Sequence, residues 1–192
     1  MVSRYKDFEI HVYSDSVYTY NSADNITSYF KVYVDNDKHY PTNIKYGIKI
    51  FKNDDLISSA IICESGSITG IFDKSFIIKN DALFICCSNM IYCLNVPDLD
   101  FKWKCELDHD TCLEIYAFQE DFIIHGELQI SRVTEDATLK WQYNRNDIPR
   151  FSDSNSCLQI ANGFIKISNV EGYEIVLDEK GKEVSNLQAK RS

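Results

Sequence analysis

An all-β chain of antiparallel sheets is what this sequence predicts, and three observations predict it. Apolar and polar residues alternate with a period of two over most of the length. Clusters of turn-forming residues break the alternation at short intervals. A segment of about 40 residues recurs in the second half.

Taken in chain order, the first clear strands lie near residues 29–50. Phe30, Val32 and Val34 share one face, and Tyr29, Lys31 and Tyr33 the other. Ile44, Tyr46, Ile48 and Ile50 then alternate with Lys45, Gly47 and Lys49. This is the pattern of half-buried strands. The punctuation is Asp35-Asn36-Asp37, Asn53-Asp54-Asp55, Glu64-Ser65-Gly66, Asn80-Asp81, Glu171-Gly172 and Lys180-Gly181, all good turn formers. No long window carries a 3.6-residue apolar stripe, so little helix is expected. A composition of 13% aromatic residues favours pleated surfaces in the same direction.

The repeat begins beyond residue 75. One copy runs Ala82-Leu83-Phe84-Ile85-Cys86-Cys87, Ile91-Tyr92-Cys93-Leu94 and Leu99-Asp100-Phe101-Lys102-Trp103. A second runs from Asp121 through His125-Gly126-Glu127 and Leu128–Val133 to Ala137-Thr138-Leu139-Lys140-Trp141. Trp141 follows Trp103 by 38 positions, and each ends a strand with the pair Lys-Trp. A degraded third copy, Gly163–Ile167, Tyr173–Leu177 and Asp178–Val184, lacks the tryptophan. The two tryptophans are expected to be structural.

These segments, over about residues 76–184, resemble the blade repeats of quinoprotein-like (PQQ-type) β-propellers, although most of that pattern's glycines are missing. The resemblance implies a partial or small β-propeller. The chain as a whole also resembles a group of small bacterial proteins associated with toxin–immunity loci, which would imply an immunity role. The expected organisation is a single domain of residues 1–192, with a divergent β-region at 1–75, blade-type repeats at 76–184 and a polar tail at 185–192. The alternative is a β-sandwich joined to blades. At about 38 residues per blade, the chain holds at most five, near the lower end of the roughly 4–8 that close a propeller.

Bulk properties narrow the function classes. With 29 acidic and 20 basic residues the net charge is −9, which disfavours phosphate backbones and anionic membranes and leaves a basic protein partner open. Neither a signal peptide nor a stretch near the roughly 20 apolar residues of a membrane span is present. The seven cysteines, Cys63, Cys86, Cys87, Cys93, Cys105, Cys112 and Cys157, sit mostly in apolar runs without a CxxC pair. They read as reduced, buried residues of a cytoplasmic protein.

No GxSxG, P-loop, GxGxxG or HExxH motif occurs, so a non-enzyme is expected. No cofactor or metal is expected either, because a blade scaffold does not carry the quinone with it. His109-Asp110-Thr111-Cys112 offers the makings of a Cys–His nucleophile or a metal site, but reads first as a polar turn between blades. His125-Gly126-Glu127 marks a hairpin. His11 and His39 complete the four histidines without metal-ligand spacing.

Acidic residues crowd two stretches: Asp98, Asp100, Glu106, Asp108, Asp110 and Glu114, then Glu120, Asp121, Glu127, Glu135 and Asp136. On stacked blades equivalent loops gather on one side. Asp98, Asp100, Glu106, Asp108, Asp110, Glu114, Glu135 and Asp136 are therefore the candidate partner-binding residues, facing a protein partner of basic character. The competing readings are a hydrolase-type enzyme using His109 or His125 at a loop mouth, and a subunit that completes a larger β assembly.

Overall fold

The computed structural model describes residues 1–34, 42–67, 70–144, 158–168 and 174–187. All regular structure among them is β. The first sheet holds β1 (Val2–Tyr5), β2 (Phe8–Ser14), β3 (Lys31–Val34), β4 (Ile44–Lys52) and β5 (Asp55–Glu64), in the order β1-β2-β4-β5-β3. Three four-stranded meanders follow. The second sheet is β6 (Phe76–Lys79), β7 (Ala82–Cys87), β8 (Met90–Asn95) and β9 (Phe101–Glu106). The third is β10 (Cys112–Phe118), β11 (Asp121–Gly126), β12 (Gln129–Val133) and β13 (Leu139–Asn144). The fourth is β14 (Leu158–Ala161), β15 (Phe164–Ser168), β16 (Glu174–Leu177) and β17 (Glu183–Leu187).

Alternation of side chains gives each sheet two faces, and the faces stack. Ile10, Val12, Ile48, Ile50 and Ile62 of the first sheet bury themselves against Leu83, Ile85, Tyr92 and Leu94 of the second. Phe84, Ile91 and Cys93 on the opposite face of the second sheet meet Ile115, Phe122 and Ile124 of the third. Phe118, Ile123 and Ile130 meet Ile165, Ile167, Ile175 and Leu177 of the fourth. Three dry seams therefore hold four sheets in chain order, with the aromatic pair Phe84–Phe122 at 4.5 Å between ring centres in the middle one. The outer face of the first sheet is partly covered by its own loop, where Tyr18 and Tyr29 pack on Ile61 and Cys63.

The two tryptophans stitch the seams from outside. Trp103 Nε1 on β9 donates to the Glu135 carbonyl in the β12–β13 turn, at 3.1 Å. Trp141 Nε1 on β13 donates to the Glu179 carbonyl in the β16–β17 turn, at 3.0 Å. Each hook thus grips the corresponding turn of the next sheet. The first seam uses a different residue in the same way: Tyr33 on β3 donates its hydroxyl to the Leu99 carbonyl in the β8–β9 turn, at 2.6 Å. Lys31 reinforces it through the Asp98 carbonyl and the Asp100 carboxylate, both at 2.5 Å. β3 is the one strand among the described residues that pairs in parallel, beside β5.

Each gripped turn holds one residue with positive φ: Leu99 (61°), Ala137 (68°) and Gly181 (75°). Glycine is required at the last, because a β-carbon there would enter the indole of Trp141. Ala137 has no such excuse. The left-handed conformation costs a non-glycine residue about 1–2 kcal/mol, against about 0.5–1 kcal/mol for glycine's extra freedom when unfolded. Ala137→Gly should therefore stabilise the protein by roughly 0.5–1 kcal/mol, visible as a higher urea midpoint.

Among the described residues, the strands before residue 75 form one sheet at the head of the stack rather than the two of a β-sandwich. Residues 185–187, read from the sequence as the start of the polar tail, belong to β17.

Candidate functional site

Antiparallel meanders send alternate turns to opposite rims. The β1–β2, β4–β5, β6–β7, β8–β9, β10–β11, β12–β13, β14–β15 and β16–β17 turns share one rim. Contacts between neighbouring sheets bear this out. Lys6 reaches Asp81 at 2.5 Å, Lys79 reaches Glu135 at 2.7 Å, and Gln119 reaches Glu179 at 3.4 Å. Four turns of this rim each present two acidic residues: Asp54 and Asp55, Asp98 and Asp100, Glu135 and Asp136, and Asp178 and Glu179. The fold thus brings four of the expected residues, Asp98, Asp100, Glu135 and Asp136, onto one rim, with an acidic pair from every sheet. Asp54, Asp55, Asp178 and Glu179 were missed, although their position after a strand and inside a turn was visible.

The rim is partly neutralised from within. Asp100 takes Lys31, and Glu135 takes Lys79 and the Asn80 amide. Burial pushes the Glu135 carboxyl up, but the bonds from Lys79 and Asn80 outweigh it and leave the group below its ordinary value. Asp121 behaves similarly while almost fully buried. Arg132 Nε lies at 2.6 Å and Lys140 Nζ at 2.8 Å, and their bonds overcome desolvation to lower its pKa below 3.8. A depressed carboxyl contributes stability that is present above its unfolded value and is lost as pH falls through the folded one. Asp121→Asn should therefore cost about 2 kcal/mol at pH 7. Its deficit relative to the parent should shrink as the pH falls below the ordinary carboxylate range in acid-dependent melting.

The other four expected residues go elsewhere. β9 runs from one rim to the other, so Glu106, Asp108, Asp110 and Glu114 lie at the opposite end. Glu106 is exposed and Asp110 half-buried, bonded to Ser67 Oγ at 2.7 Å. Asp108 is only 1% exposed, and its carboxylate accepts four backbone N–H groups: Asp110 at 2.7 Å, Thr111 at 3.0 Å, Leu128 at 3.0 Å and Gln129 at 2.7 Å. It ties the β9–β10 connection to the β11–β12 hairpin. Gly126 is a glycine because a β-carbon there would overlap that carboxylate.

Glu114 is also interior, paired with His125. The His125 Nδ1 lies 2.7 Å from Glu114 Oε2, which also accepts the Tyr116 hydroxyl at 2.8 Å. Lys74 covers the Tyr116 ring at 4.4 Å from its centre. A carboxylate on Nδ1 fixes the imidazole's orientation, as in general-base histidines, but this side chain is only 2% exposed.

The Cys–His nucleophile weighed as the alternative to a polar turn does not form. His109 is exposed, whereas Cys112 is buried in the second seam, where desolvation raises its thiol well above the ordinary value. Cys63, Cys86, Cys87, Cys93 and Cys105 are likewise free thiols raised by burial, to about 11 for Cys63 and Cys93. Cys157 and His39 lie outside the described residues. His11 pairs with Glu9 at 2.7 Å and stacks on Phe51. With Arg4, Asn53 and Asp54 they line a shallow groove of about 450 Å³ at the acidic rim's first-sheet end, which sequence reasoning did not find. Among the described residues no group of His, Cys, Asp and Glu could hold a metal.

Solved structures decide the architecture. BamB from Moraxella catarrhalis superposes with a TM-score of 0.53 at 7% identity, over 76% of this chain and 48% of that one. The fold is propeller-type. The Neurospora crassa Pan2 WD40 domain agrees, with a TM-score of 0.50 at 11% identity, over 61% of this chain and 38% of that one. This propeller-type stack therefore spans about half the length of these structures or less. No family model matches its sequence, and no curated protein matches it.

Proposed function

We propose that the chain is a cytoplasmic, non-catalytic protein-binding module that meets a basic partner through its acidic rim. The observation that carries this reading is the acidic pair repeated in the same turn of all four sheets. Turns on a rigid scaffold are where binding residues concentrate, and like charges held side by side favour an oppositely charged partner. The biological form we favour is an immunity protein that occludes a cationic toxin, with these carboxylates meeting the Lys and Arg residues the toxin uses on its own substrate.

The test compares the parent with a variant carrying Asp54→Lys, Asp98→Lys, Asp136→Lys and Glu179→Lys. Partner capture from the native host should weaken between about 0.05 and 0.5 M salt and disappear in the variant. Glu106→Lys on the opposite rim should leave it intact. Capture that ignores both salt and the four reversals would remove the acidic rim from the reading. A neighbouring toxin gene would support the immunity form, and a neighbourhood without one, together with no basic partner, would end it.

A second reading has one observation in its favour. The Glu114–His125 bond orients a histidine as a hydrolase would. His125→Gln, with retained partner capture and loss of a hydrolytic activity, would select it.

A further inference from the structure

The turns that join the first two strands of the four sheets are all two-residue loops entered with positive φ, at Lys6 (52°), Asn80 (50°), Gln119 (56°) and Asn162 (53°), and in two of them the second residue is positive as well, Asp81 (56°) and Gly163 (80°). Three are followed by Asp7, Asp81 or Glu120. The fourth is followed by Gly163, which makes it the sole Asn-Gly dipeptide of the chain. We propose that Asn162-Gly163 is a site of spontaneous deamidation, which converts the fourth turn from a neutral to an acidic one.

The chemistry needs a backbone nitrogen that can reach the side-chain carbonyl carbon. The Gly163 nitrogen gives its proton to solvent base and attacks Asn162 Cγ. The new N–Cγ bond closes a five-membered succinimide, the bond from Cγ to the amide nitrogen breaks, and ammonia leaves. Water then adds to either ring carbonyl, leaving aspartate or isoaspartate. No oxidant or enzyme is required.

Three observations favour this position. Asn162 and Gly163 are both exposed, and neither the Asn162 amide nor the Gly163 N–H has a hydrogen-bond partner among the described residues. The space where a Gly163 β-carbon would stand is empty to 4 Å, so nothing crowds the attack. The fold also supplies a contrast. Asn80 has the same backbone conformation, yet its amide is held by both Glu135 oxygens at 3.0 Å. The nitrogen that would attack it, on Asp81, donates to the Tyr5 hydroxyl at 3.1 Å and carries a side chain. Asn53 sits in a similar turn, and there too the next residue, Asp54, carries a β-carbon.

One consequence is electrostatic: the product adds a carboxylate to the rim that already carries the acidic pairs. Another is geometric, since isoaspartate routes the main chain through the β-carbon and lengthens a turn that sets the β14–β15 register.

The experiment incubates the folded protein at mildly alkaline pH and 37 °C, then maps peptides by mass and assays isoaspartate with a methyltransferase. The peptide containing Asn162 should convert to an aspartate–isoaspartate mixture while those containing Asn80 and Asn53 stay intact. Gly163→Ala should slow conversion roughly tenfold, because a β-carbon hinders attack and narrows the backbone's range. The proposal is overturned if Asn162 stays intact for as long as a free peptide of residues 158–168 takes to convert. It also fails if Asn80 converts as fast, or if Gly163→Ala changes nothing.

Discussion

Asp108→Ala should destabilise the protein by about 3–5 kcal/mol, the largest effect expected of any carboxylate among the described residues. Four backbone N–H groups converge on this one side chain, from two different loops, at a site closed to water. Bonds to a charged acceptor contribute more than neutral ones, and removing the acceptor leaves all four donors unsatisfied. Asp108→Asn should recover part of the loss, since its carbonyl still serves one pair of donors while its NH₂ opposes the other. Asp110→Ala, two positions on and half-buried, should cost under about 1 kcal/mol. Urea unfolding of the three variants measures the series. An Asp108→Ala midpoint close to the parent's would show that water or loop rearrangement replaces the carboxylate.

Trp103→Ala should cost about 3–5 kcal/mol, on the order of 10 °C in melting temperature for a chain of this size. Two losses combine. The indole packs beside Phe84 in the second seam, at 5.8 Å between ring centres, and its N–H holds the β12–β13 turn. Trp103→Phe separates them. It keeps a ring in the seam and removes only the bond to the Glu135 carbonyl, so it should cost about 1–2 kcal/mol including the smaller ring. If Trp103→Ala melts with the parent, the hooks are ornament and the seams alone hold the stack. Tyr33→Phe asks the same of the first seam and should lose about 1 kcal/mol.

Much of the acidic rim was legible as composition and little of it as geometry. The carboxylates at 98–114 stand close together in sequence, which suggested one surface. A strand of six residues, β9, runs through the middle of that stretch and carries its two ends to opposite rims. Conversely, Asp54, Asp136 and Glu179 are far apart in sequence and share a rim because Asp136 and Glu179 follow the third strand of their meanders and Asp54 follows β4, which stands third across the first sheet. Alternating turn direction is a property of strand count, which the repeat showed only in part. The leading strand of each unit, β6, β10 and β14, falls outside the three-strand repeat, of which only the first two copies carry Lys-Trp.

By itself the sequence determined the class of fold, the strand faces and the turn positions. These depend on local chemistry: a period of two in apolar residues, and Asn, Asp and Gly where the chain must turn. It also determined that Trp103 and Trp141 are equivalent, since both follow a Lys in the last segment of a repeat, and each is the third residue of its strand. Tertiary structure alone decided which carboxylates face water. Asp108 and Asp98 are indistinguishable in a string of letters, yet one closes a ring of four amides in the interior and the other stands on a turn. It alone decided, too, that Tyr33 should do for the first seam what tryptophan does for the next two. β3 reaches that seam by pairing in parallel with β5, between residues 29 positions apart in a register only the folded sheet reveals: Lys31 opposite Ala60, Tyr33 opposite Ile62. The reason is physical. Local preference fixes the conformation of a segment, whereas burial and hydrogen-bond satisfaction are settled between segments distant in the chain, once the sheets have closed on one another.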